Sequence, residues 1–207
     1  MTDTKPMPKR SRVAGFTRAR IEYLQNQYTT GNPAARADLA RFRRAVGKPL
    51  GATPETWQVF SQGFPEELIG RGDAPSKAEN AAYHAITLYA LHQQSKTDKY
   101  MHVASKDEGN RLTTSPGLGD AIRQLANPAN PDESKAIMRR FTAITTAQTF
   151  DALVYHLRGL IKLFRTENIA LDYGRLASDL YELQFPESAK SVRLNWARQL
   201  YRTHKDS

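Results

Sequence analysis

Cysteine is absent from all 207 residues of the chain. That absence excludes disulfides, thiolate metal sites and a cysteine nucleophile, and it fits a reducing compartment. No apolar run approaches the roughly 18 residues needed to span a bilayer. The segment from Met1 to Val13 carries Lys5, Lys9, Arg10 and Arg12 with two prolines, and it lacks the apolar core of a secretory signal. Residues 1–15 therefore read as a flexible basic N-terminal arm, and the chain as cytoplasmic. No stretch alternates cleanly enough to predict a strand, and neither an internal repeat nor a low-complexity tract is present.

Catalytic patterns are missing as well. Gly47-Lys48 lacks both the glycine five residues earlier and the following hydroxyl of a phosphate-binding loop. Gly117 and Gly119 make a lone G-x-G that is better explained as a helix entry. The histidines (His84, His92, His102, His156 and His204) form no metal-ligand spacing. His84 and His92 share a helix and are expected partly buried or at the surface. Glu66-Glu67 and Asp107-Glu108 are neighbours in sequence, whereas a carboxylate nuclease needs several converging acids. No catalysis, cofactor or metal is expected.

What the sequence does have is positive charge. Thirty Lys and Arg against 21 Asp and Glu give +9 and a pI near 9.8. A pI above about 9 is the footprint expected of a nucleic-acid partner, with a solvated basic surface or an anionic membrane as the alternatives.

Helical signals punctuate the chain. The first predicted helix spans Thr17 to Tyr28. Asn32-Pro33 supplies an N-cap and a proline at the first helical position for a helix to Val46, stopped by Gly47. Thr53-Pro54 opens a short helix carrying Trp57 and Phe60. Ser76 and Glu79 form a capping box for a helix through Leu91. Residues 95–114 are polar and read as a linker or long surface loop. Further helices run from Ser115-Pro116 to about Ala126 and from Pro131 to Ala147. Thr149 caps Phe150 to Arg165, Asp172 caps Tyr173 to Leu183, and the last helix spans Glu187 to His204. The prediction is an all-α chain of two helical bundle domains, 16–105 and 106–207, joined by a polar loop.

Projection at about 100° per residue separates core from surface. Beside and behind the Ala35-Leu39-Phe42-Val46 stripe lie Arg36, Arg41, Arg43 and Arg44, with Lys48 just beyond the helix end. Lys135, Arg139 and Arg140 lie away from the Ile137-Phe141-Ile144 stripe. Opposite Leu153, Leu157, Leu160, Ile161 and Phe164, the residues Arg158, Lys162 and Arg165 recur at i, i+4 and i+7 as one basic line. A solubility face mixes signs, whereas these three stripes hold few acids. Arginine forks suit phosphate oxygens, and a row of them can track a backbone without reading bases. Most aromatics, including Tyr23 and Trp57, sit at core spacing. Tyr155 is the exception, projecting beside Arg158 and Lys162. A helix-turn-helix around Phe185-Pro186, offering Ser188, Lys190, Ser191 and Asn195 to a groove, is the competing reading. Val192, Trp196 and Leu200 commit that last helix to a core instead.

Several segments together resemble the CasB family, the small subunit of the type I-E CRISPR surveillance complex, Cascade. They are Leu39-Ala-Arg-Phe-Arg-Arg44, Ala78 through His92, Leu118-Gly119, Met138-Arg-Arg-Phe141, Phe150 through Arg158, and Leu171 through Leu180 with Trp196 and Tyr201. The resemblance covers roughly residues 16 to 202. It implies a non-enzymatic, all-helical subunit that sits as one of two copies beside the crRNA-bearing backbone subunits and the large subunit. It also implies a hold on target and displaced DNA strands in the R-loop. Carried residue by residue, that role falls to Arg43, Arg44, Arg139, Arg140 and Arg158, with Lys162 as stripe neighbour. Asp120, where related chains can be basic, speaks against phosphate contact at the Gly119 helix entry.

Overall fold

The structure is a computed structural model and describes residues 7–104, 107–108, 111–112, 115–126 and 131–202. The helices are α1 (Lys9–Thr29), α2 (Pro33–Arg44), α3 (Pro54–Ser61), α4 (Lys77–His92), α5 (Leu118–Leu125), α6 (Pro131–Thr145), α7 (Phe150–Glu167), α8 (Tyr173–Glu182) and α9 (Pro186–Leu200). A 3-10 turn spans Glu66–Leu68, and the two-residue strands β1 (Asp107–Glu108) and β2 (Arg111–Leu112) pair antiparallel. The class is all-α; among the described residues this ladder and an isolated parallel bridge between His102 and Leu171 are its β features. No described helix is long and apolar enough to cross a membrane.

Local chemistry starts the helices where the sequence signals stand. Asn32 accepts from the amides of Ala34 (2.8 Å) and Ala35 (3.4 Å). Ser76 and Glu79 close a reciprocal capping box. Thr149 accepts from Ala152 at 3.2 Å and Asp172 from Arg175 at 3.0 Å. Each satisfies helix-end donors that would otherwise lack partners.

Two boundaries differ. α1 begins at Lys9, eight residues before Thr17, so Lys9, Arg10 and Arg12 are helical rather than part of an arm. Val13, Thr17, Ile21 and Leu24 are buried at helical spacing, and their stripe carries the helix back to Pro8. Lys5 lies outside the described residues. The 95–114 segment also begins inside the core: Met101 and His102 are buried. The Gln25 side chain donates to the His102 carbonyl (3.1 Å) and accepts from its amide (2.9 Å), while Gln93 accepts from the Met101 amide (3.0 Å).

α4 is the central element. It packs against α1, α2, α7 and α8, and from Ala78 to His92 every residue but Asn80 is buried. A helix apolar all round belongs in the middle of a fold. His84 and His92 are therefore enclosed, not at the surface. α8 lies on both α1 and α4, although it follows them by about 80 residues or more in the chain. Gly174 permits that approach, because a Cβ there would stand 3.0 Å from the Ala14 carbonyl and 3.2 Å from Arg18 Cβ. The hydrophobic core thus runs continuously across residue 105, the expected domain boundary.

Burial pushes His84 down to about 4 and His92 to about 3, while it raises Asp179 to about 6 against the Trp196 ring N–H that donates to it at 2.6 Å. The unfolded chain protonates its histidines below about 6.5, so both histidines withdraw stability as pH falls from 6.5 towards 4. Asp179 acts oppositely: its cost is complete above about pH 6 and is relieved on acidification. Buried His102 is pushed down as well, chiefly by burial, so the histidines outweigh Asp179. We therefore expect stability to fall as the pH drops from about 6 towards 4. In urea titrations His84→Gln should flatten this slope and Asp179→Asn should steepen it.

A second pair of variants checks the packing. A Cβ at Gly119 would press on the Trp196 carbonyl and lie 2.7 Å from Gln199 Cβ. Gly119→Ala should cost about 1–3 kcal/mol or more by overpacking. Gly15, exposed in α1 with nothing within 4 Å of a Cβ, should gain about 0.5–1 kcal/mol on replacement by alanine. Chemical denaturation of both variants measures the difference.

Candidate nucleic-acid interface

The three basic stripes occupy α2, α6 and α7, and the fold brings most of them to one face. α6 packs on α7, and between them runs a groove of about 450 Å³ lined by Arg139, Arg140, Tyr155, His156, Arg158 and Lys162, with Ala143 and Gly159 beneath. No carboxylate lines it. On α7 the groove side is the i, i+3, i+4, i+7 row of Tyr155, Arg158, Gly159 and Lys162, while Leu157, Leu160, Ile161 and Phe164 anchor the opposite side in the core.

The end of α2 joins this face from the other flank. The Arg158 guanidinium reaches to 4.0 Å from where a Cβ of Gly47 would stand, in the left-handed turn that follows α2. Arg43 is pushed below its ordinary value by burial first, then by the like charges of Arg44 and Arg165. The end of α2 thus lies within electrostatic reach of both Arg158 and Arg165 on α7. Arg36 and Arg44 are exposed, as are Lys48, Arg139, Arg140, Arg158 and Lys162.

Not every predicted cation is equally available. Arg41 projects about 160° from Arg43 around α2, and its guanidinium pairs with Asp38 at 2.6 Å. Arg165 is half-buried and donates to Gln94 at 2.8 Å. Lys135 pairs with Asp132 at 3.2 Å. The other eight (Arg36, Arg43, Arg44, Lys48, Arg139, Arg140, Arg158 and Lys162) have no side-chain hydrogen bond or ion pair among the described residues. Like charges gathered without counter-charges are costly in water and favourable against a polyanion.

The aromatics divide differently from their sequence spacing. Phe42, Phe60, Tyr83, Tyr89, Phe141, Phe164 and Trp196 are buried, but Tyr23 is 58 % exposed and Trp57 47 %. Both belong to helices whose other apolar positions pack inward, so spacing alone misplaces them. Tyr155 is 71 % exposed in the groove, beside its predicted neighbours.

The Gly119 helix entry and the apolar stripe of α9 are taken up inside the fold, while Lys190, Ser191 and Asn195 of α9 stay exposed. Asp120 accepts from the Gly117 amide (3.1 Å) and faces Arg123 (3.6 Å), and the Gly119 amide donates to Gln199 (3.1 Å). That helix entry is buried against α9. In α9, Val192, Trp196 and Leu200 are buried, and the Ser188 hydroxyl donates to the Glu182 carbonyl at 2.8 Å. Among the described residues, no group of three or more His, Asp or Glu side chains is placed to hold a metal ion.

Residues 38–201 match the family described as CRISPR-associated protein Cse2. Among solved structures the chain is similar to CasB from Thermobifida fusca, with 35 % identity over 92 % of this chain and 98 % of that one, at a TM-score of 0.73. CasB from M. ruber shares 27 % identity over 91 % of this chain and 93 % of its own, at a TM-score of 0.60. A chain described as a CRISPR RNA-guided surveillance complex has the same fold at 22 % identity, covering 91 % of this chain and 95 % of itself, at a TM-score of 0.63. No curated protein matches. With an all-helical architecture, a family match over most of its length and a CasB relative above 30 % identity, the chain belongs to the CasB, or Cse2, family of CRISPR-associated proteins.

Proposed function

We propose that this chain is the non-catalytic small subunit of a type I-E CRISPR crRNA-guided surveillance complex, Cascade. In this reading it holds target and displaced DNA strands on its basic face and so stabilises the R-loop in antiviral defence. The observation that carries it is the gathering of seven unpaired Lys and Arg side chains at the end of α2 and in the α6–α7 groove, with Arg36 at the start of α2 as an eighth. Its partners are the crRNA-bearing backbone subunits, the large subunit, a second copy of itself and the two DNA strands.

The energetics suit the role. Exchanging a DNA duplex for an RNA–DNA heteroduplex is nearly balanced, so contacts to the backbone tip the outcome. The guide changes with every spacer, and a surface that grips phosphates without reading base edges serves all of them. Arg43, Arg44, Arg139, Arg140, Arg158 and Lys162 carry the grip, with Arg36 and Lys48 extending it. Arg41, already held by Asp38, contributes least.

Each phosphate contact adds about 0.9 to the salt slope on duplex DNA and about 0.7 on single strands. Arg158→Ala with Lys162→Ala, and Arg43→Ala with Arg44→Ala, should each lower the slope by that amount per cation in the assembled complex. Arg41→Ala should leave it in place. Target binding titrated across salt concentration measures this, and unchanged slopes in both double variants would sink the reading.

A further inference from the structure

Tyr155 is out of place in a purely electrostatic surface. Its ring stands 71 % exposed on a helix whose other large apolar side chains face the core, at the N-terminal end of the groove row, and it lines the groove with His156 and Arg158. Exposing an aromatic ring of this size forgoes the gain of burying it, and a backbone clamp gains nothing from it. The ring is also held. His156 makes a T-shaped contact with it, 5.4 Å between centroids at an interplanar angle of 74°, and both rings line the groove. Four cations, Arg139, Arg140, Arg158 and Lys162, line the same cavity.

Gly159 points to the same use. A glycine inside an 18-residue helix weakens it relative to alanine. Here it lies in the groove floor, one turn from Tyr155, and a Cβ would come to 3.4 Å from the Arg140 guanidinium. Leaving out that Cβ deepens the groove beneath the ring and lets Arg140 lie across α7. Flat aromatic face, depth and surrounding cations together fit one nucleotide: a base on the ring and its flanking phosphates on the arginines.

We infer that the α6–α7 groove takes an unpaired nucleotide, with its base stacked on Tyr155, and therefore distinguishes single-stranded nucleic acid from duplex. This rests on the nucleic-acid reading above and adds to it a residue that acts through the base. A paired base is already stacked on both faces within the helix and has none to offer the ring. Every base has a π-face, so the contact selects strandedness and stays indifferent to sequence.

The test uses the full chain at low salt and three probes of equal length, about 10 nucleotides: oligothymidylate, the same backbone carrying abasic sites, and a duplex. Wild type should bind oligothymidylate more tightly than the abasic strand. Tyr155→Leu should weaken oligothymidylate binding roughly 5- to 150-fold while leaving the abasic strand and the duplex unchanged, and Tyr155→Phe should restore it. Arg158→Ala with Lys162→Ala should weaken all three probes. Equal affinity of wild type for thymidylate and abasic strands overturns the inference and leaves the ring to a protein contact. An equal loss on every probe in Tyr155→Leu overturns it as well, since it marks a structural effect. If the cation variant alone loses affinity, the backbone grip stands without the stacking; if that variant changes nothing on any probe, the grip itself fails.

Discussion

The Asp172 carboxylate, 1 % exposed, is the constraint on which the arrangement of the helices turns. One oxygen caps α8 through the Arg175 amide at 3.0 Å. The other accepts from the Ser115 hydroxyl at 2.5 Å and from Arg18 of α1 at 3.3 Å. Arg175 closes the ring by donating to the Ser115 carbonyl at 3.1 Å, and the Asp172 amide donates to the Pro116 carbonyl at 3.0 Å. A buried carboxylate survives only with such a full set of donors. The set joins three remote parts of the chain: α1, the entry to α5, and α8. Removing any one donor would leave charge uncompensated in the interior, so the three parts are positioned together.

From that joint the basic face inherits its geometry. α8 is pinned to α1 and α4, α4 in turn supports α2 and α7, and α7 carries α6. Seven of the eight unpaired cations are thus rooted on packed helices and Lys48 in the turn that follows α2, so their backbone positions are fixed by packing. A surface preorganised in this way loses little freedom when a strand settles on it.

The parts of the fold that were legible in the sequence are those written in local chemistry. Asn32, Ser76, Thr149 and Asp172 mark helix starts because a cap and its donors lie within three residues of one another. The basic stripes were legible too, since projection along one helix needs no knowledge of its neighbours. The burial of Met101 and His102 was not, because the amides that satisfy that backbone come from Gln93 and from Gln25, the latter 77 residues away. Nor could one-dimensional spacing show that the end of α2 meets α7, or that Tyr23 and Trp57 stay exposed; both depend on which helices become neighbours. The diversion of Arg41 to Asp38 is different: an i, i+3 ion pair is a local signal, and it stood in the sequence unread.

The uncompensated charge of the α2–α6–α7 face also bears on the chain's own stability. Cations fixed within a Debye length of one another, about 10 Å at 0.1 M salt, oppose the compact state that gathers them, and a polyanion laid across them removes that opposition. Folding and neutralisation of this face are therefore linked equilibria: a polyanion that neutralises the face would also tighten the helices that build it. The bare chain carries that repulsion alone, and a polyanion laid on the face would act as part of its scaffold.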